Sequence, residues 1–114
     1  MSLHMLRLDT APEPSDWDEL SSQEPAEDGF HWQDMLTEHE INASYTYTED
    51  VKRMLGTVPG APARLQEIGE LLLIGTVREA MSLAVCVLRL EESGLLRRAP
   101  DGKGFMAAGH SPAA

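Results

Sequence analysis

The sequence predicts a mainly α fold: short helices plus one long apolar helix or a helical hairpin, one candidate short strand, and a flexible acidic N-terminal arm. Three observations carry that prediction. Residues 63–93 contain no proline and are apolar around most of a helical wheel. Residues 30–40 place Trp32, Met35, Leu36 and His39 at i, i+3, i+4 and i+7, the spacing of one helix face. The formal net charge of −10 lies wholly in residues 1–42, where eleven acids meet one base, Arg7; residues 43–114 balance eight acids with eight bases.

Taken in order, residues 1–29 read as the flexible arm. Residues 9–29 hold Pro12, Pro14, Pro25, Gly29 and eight acids, with Trp17 and Leu20 as isolated apolar residues and no surviving period. Residues 30–98 read as the helical domain. It opens with the short helix over 30–40, started near Gly29 and stopped near Asn42. Residues 43–48 alternate, placing Tyr45 and Tyr47 on one face of a candidate strand that needs a pairing edge. Thr48 is a good N-cap, and Glu49 and Asp50 suit the first turn of a helix carrying Val51, Met54 and Leu55. Val58 to Pro62 marks a turn.

The segment 63–93 dominates. As one continuous helix it would be about 45 Å long. Gly69 and Gly75 weaken it, and a break at Gly75–Thr76 would give two antiparallel helices. Gly94 is the expected C′ residue, with Leu95 as its hydrophobic contact. Residues 99–114, with Pro100, Gly102, Gly104, Gly109 and Pro112, read as a flexible tail.

At 114 residues the chain has the size of one domain, and a core drawn from part of it is marginal for a monomer. Two short helices cannot cover an apolar helix of that length. The sequence therefore predicts a homodimer or an obligate protein partner. Leu72, Leu73, Val77, Met81, Val85 and Leu88 are the candidate self-association residues. Trp32, Met35, Leu36, Tyr45 and Tyr47 are the candidate partner-binding residues.

Catalysis is not expected. No Ser/His/Asp arrangement, phosphate-cradling glycine loop, CxxC pair or HExxH occurs, so no catalytic, cofactor-binding or metal residue is assigned. His31, Asp34 and Glu38 are spaced to offer one nitrogen and two oxygens from a helix, but acidic helices produce that spacing by chance. Cys86, the one cysteine, sits in an apolar run and reads as a buried hydrophobe. Residues 71–90 approach the length of a membrane span, yet Arg78, Glu79 and Arg89 make insertion costly. With no secretory signal in Met1 to Leu8, the expected location is the cytoplasm.

Two resemblances add to this reading. Val87 to Phe105, VLRLEESGLLRRAPDGKGF, resembles the end of a winged helix-turn-helix domain through Leu90, Glu91, Glu92, Gly94, Leu95, Arg97, Arg98, Asp101 and Gly102. That resemblance implies a recognition helix followed by a hairpin wing. Against a DNA-binding role stand the apolar run Ser82 to Leu88, the acidity, and the lack of room for a turn before the last helix. In size, acidity and helical layout the chain resembles QslA-type quorum-sensing anti-activators of pseudomonads. That resemblance implies binding to a LasR-like transcription factor, disruption of its dimer and loss of its DNA binding. The expected function is thus an inhibitor of a transcription regulator, with direct nucleic-acid and membrane binding not expected. A small dimeric secretion or assembly chaperone is the first alternative, and a degenerate winged-helix DNA binder the second.

Overall fold

The computed structural model describes residues 9–21, 32–57, 62–99 and 104–107. The fold is mainly helical, with a small antiparallel sheet. Among the described residues, five α-helices and three strands follow in the order α1 (Pro14–Ser21), α2 (Glu38–Ser44), α3 (Thr48–Thr57), β1 (Ala63–Arg64), α4 (Leu65–Leu71), α5 (Val77–Glu92), β2 (Leu96–Arg98) and β3 (Gly104–Ala107). Short 3-10 turns at Trp32–Met35 and Tyr45–Tyr47 precede α2 and α3.

Helix α1 begins with proline at its first position, where a missing N–H costs nothing. Asp16 accepts a hydrogen bond from the Glu13 N–H at 2.8 Å, and Trp17 and Leu20 go into the core. The expectation of an arm without elements is therefore corrected for residues 14–21. Two apolar residues at i, i+3 are too few to show a helical period against three acids, yet enough to dock one short helix. The Trp17 ring lies against Gly69 of α4. A Cβ there would come within 2.7 Å of the ring's Cζ2, so a side chain is excluded.

The segment 63–93 is not one helix. Helix α4 ends at Leu71 in a Schellman turn: the Ile74 N–H bonds the Gly69 carbonyl at 2.9 Å and the Leu73 N–H bonds the Glu70 carbonyl at 3.2 Å. Leu73 occupies the left-handed position, φ 60°, where glycine is usual. Helix α5 then starts afresh on Thr76, whose Oγ1 accepts from the Glu79 N–H at 3.2 Å, while Glu79 Oε1 accepts from the Gly75 N–H at 3.0 Å. The Val77 N–H is satisfied by the Thr10 carbonyl at 2.8 Å. Room for a turn between the last two helices therefore exists.

Helix α5 ends as expected, with Gly94 at φ 87° and the Leu95 N–H on the Leu90 carbonyl at 3.0 Å. Strand β2 then pairs with β3, and β3 with β1, in the order β1-β3-β2. This corrects the flexible-tail reading at residues 104–107. Two strands are of two and three residues and lack a visible alternation. Residues 43–48 contain no strand: Tyr45–Tyr47 is a 3-10 turn linking α2 to α3. The helix-turn-helix-hairpin order implied by the winged-helix resemblance is present over α4, α5, β2 and β3.

Helix α5 is the axle of the core. Val77, Ala80, Met81, Leu83, Ala84, Cys86 and Val87 are fully buried against Trp32, Val51, Leu55, Leu65, Ile68 and Phe105. Each large side chain so buried stabilises the fold by about 1.5–3 kcal/mol. Among the described residues, no helix is long and apolar enough to cross a membrane.

Candidate functional site

Helix α2 packs along α5, and the manner of its attachment shapes the site. The helix begins in a capping arrangement on Thr37. Glu40 Oε1 accepts from the Thr37 N–H at 2.8 Å and from the Thr37 hydroxyl at 2.6 Å. The other oxygen, Oε2, accepts from Arg78 Nη1 of α5 at 2.5 Å. The Glu40 side chain is 1 % exposed. Burial pushes its carboxyl pKa up, but the hydrogen bonds from Thr37 and Arg78 and the Arg78 charge outweigh it and hold the pKa below the usual value.

One turn from the end of α5, Arg89 makes the second cross-link. Its Nη1 donates to Ser44 Oγ at 2.8 Å and its Nη2 to Thr48 Oγ1 at 3.2 Å. The guanidinium stacks over the Tyr45 ring, 4.1 Å from the centroid. Arg89 lies in the last turn, where the helix dipole favours a cation. The buried residues of α2 are Glu40 and Ser44, both polar, so polar contacts and not apolar burial fasten it to α5.

Between these fastenings lies a groove of about 280 Å³ lined by Gln33, Leu36, Ile41, Tyr45, Val85, Leu88, Arg89 and Glu92. Leu36 and Val85 are half-buried on the core's edge, and Leu88 is buried. Ile41 and Tyr45 stand exposed, at 41 % and 60 %. A second cavity beside Trp17 and Arg64 holds about 20 Å³, room for one water and no ligand.

The groove brings together two sets of residues that the sequence kept apart: Leu36 and Tyr45 from the partner-binding set, Val85 and Leu88 from the self-association set. Other members go elsewhere. Trp32 is 1 % exposed and is a core residue, not a surface anchor. Its 3-10 turn ends before α2, so it does not share a helical face with His39. Val77 and Met81 are fully buried within the chain, so they offer no surface to a second copy. Leu72 is half-buried in the α4–α5 turn and Leu73 is exposed beside it. Tyr47 is half-buried against the core. The Met35 side chain and His31 fall outside the described residues. Asp34 and Glu38 belong to separate elements, which removes the single helix that their metal spacing assumed.

Four groove residues, Gln33, Ile41, Arg89 and Glu92, were missed by the sequence reading. Ile41 stands at i+4 to Tyr45, a spacing obscured by the strand-like alternation of 43–48. Arg89 is the one base between Leu83 and Leu90, a signal visible in sequence. Burial pushes the Cys86 thiol pKa up, against opposing effects of Thr48 and Arg89, and Thr48 Oγ1 lies 3.7 Å from its sulfur. It remains a protonated thiol at neutral pH. Comparison with protein-family models, curated proteins and solved structures finds no match.

Proposed function

We propose that the protein is a regulator that holds an apolar segment of another protein in the groove between α2 and α5. The observation that carries this reading is the groove itself. Exposed Ile41 and Tyr45 rise beside an apolar floor of Leu36, Val85 and Leu88. A concave apolar strip flanked by a helix is the usual receptor for an amphipathic partner segment. The partner we favour is a transcription regulator. The uniformly acidic residues 1–42 would speed encounter with a basic DNA-binding surface, and occupancy would deny that regulator its DNA. This is anti-activator behaviour of the quorum-sensing type, with a LasR-like receptor as the specific candidate.

The test is a mobility-shift titration. Adding the full chain to a LasR-like receptor on its operator should release the DNA, and the Ile41→Asp variant should release it far less. An operator complex that survives excess protein rejects the receptor, and equal activity of Ile41→Asp rejects the groove.

A second reading, direct DNA binding, is favoured by the helix-turn-helix-hairpin order of α4, α5, β2 and β3. Against it, α2 lies over α5 and engages Arg78 and Arg89, the bases that a groove-reading helix would present. Salt-dependent binding of the full chain to random duplex DNA would favour this second reading.

A further inference from the structure

We infer that the segment held in the groove carries one carboxylate among apolar side chains, and that the carboxylate docks on Arg89; the inference rests on the protein-binding reading above. Among the described residues four arginines reach across elements, and Arg97 meets only the Met106 sulfur, at 3.3 Å. Arg78 holds the Glu40 carboxylate, and Arg98 holds Glu91 through two bonds of 2.9 and 3.1 Å. Arg89 differs. Its contacts are two hydroxyls and one aromatic ring, and among the described residues no carboxylate is in ion-pair contact with it. Arg64 and Arg97 likewise have no carboxylate in ion-pair contact among the described residues, but of these arginines Arg89 is the one that lines the groove.

The geometry around Arg89 is that of a prepared receptor. A guanidinium has five N–H donors in a planar fork, and two are engaged by Ser44 and Thr48. Stacking on Tyr45 fixes the plane of the fork without neutralising its charge. A carboxylate is the planar acceptor that such a fork fits best. Arg89 also lines the groove, together with Leu88, Tyr45, Ile41 and Glu92, so a ligand on the apolar floor reaches it. The occupant is thus a peptide segment and not a broadly acidic surface, which the −10 charge of residues 1–42 would repel.

The test is selection of random peptides displayed on phage against the immobilised full chain. Enriched sequences should favour Asp or Glu over Asn or Gln about fivefold at one position beside apolar residues. Arg89→Gln should abolish that bias and Arg89→Lys should retain part of it, with circular dichroism confirming that both variants fold. As a measurement that needs no variant, an enriched Glu peptide should shift the Arg89 Nε–Hε resonance of the wild-type chain more than its Gln counterpart. Apolar peptides enriched without an acidic preference, and lost on Ile41→Asp, would overturn the inference while leaving the protein-binding reading intact. Enrichment absent altogether, or indifferent to Ile41→Asp, would overturn both.

Discussion

Glu40 shows how much one side chain organises. A carboxylate at 1 % exposure is costly unless its oxygens are filled. Here one oxygen caps the start of α2 through Thr37 and the other takes Arg78 of α5, so the residue that starts the helix also docks it. Because its folded-state pKa lies below the ordinary 4.5, the unfolded chain takes up the proton first as pH falls. The associated stability is fully present above 4.5 and is lost as pH drops through the lowered folded value. Glu40→Gln should therefore lower stability on the order of 2 kcal/mol at neutral pH, chiefly by leaving Arg78 without its carboxylate. In urea unfolding followed from pH 7 to about pH 3, the gap between wild type and variant should narrow below 4.5. A constant gap would mean that the interaction is not linked to the proton.

At the scale of elements, the sequence was legible wherever the terminating residue suited its job. Gly94 sits where a left-handed turn is required, and the end of α5 was read correctly from it. The break between α4 and α5 falls where the Gly75–Thr76 alternative put it, but the end of α4 itself was hidden because Leu73 fills the left-handed position two residues before Gly75. A leucine there bears the steric cost of its Cβ, about 1–2 kcal/mol, and at 87 % exposure it gains little packing in return. Leu73→Gly should raise stability by about 0.5–1 kcal/mol after allowing for the freer unfolded chain. A lower thermal midpoint for that variant would show that the Leu73 side chain packs against something. Strands fared worse than helices. The pair β1 and β3 matches Ala63 to Phe105 and Arg64 to Gly104, a contact between residues about forty apart that no local pattern reveals. The Tyr45–Tyr47 alternation was real but subordinate, since the Thr37 cap launches α2 and the acidic turn at Glu49 and Asp50 begins α3 on its other side. The same limit applies to the groove. Its apolar residues are individually visible, but their meeting depends on the long-range pairing of Glu40 with Arg78.

For the whole molecule, coverage of α5 decides the architecture. Sequence reasoning found too few helices to cover an apolar segment of thirty residues and therefore expected a second copy or an obligate partner. Two features reduce that shortfall: the segment breaks into shorter helices, and the acidic N-terminal region supplies one of the covers. Helix α1 places Trp17 and Leu20 against α4 and α5, its Ser21 carbonyl accepts from Arg98 Nη1 at 2.7 Å, and the preceding Thr10 carbonyl accepts from Val77. The acidity of residues 9–21 is thus compatible with a structural role: Asp9, Glu13 and Asp18 are exposed, and the buried Asp16 accepts from the Glu13 N–H. Deleting residues 1–21 removes both anchors and uncovers Gly69 of α4. At about 1.5–3 kcal/mol for each anchor, the loss is roughly 3–6 kcal/mol. A domain this small has a net stability toward the low end of the usual 5–15 kcal/mol, so the truncated chain should be largely unfolded or aggregated at room temperature. Far-ultraviolet circular dichroism should record a loss of helicity well beyond the eight residues of α1 itself. A truncated chain that still melts cooperatively, with only those eight residues' signal missing, would show that α2 to α5 and the sheet close a core without α1.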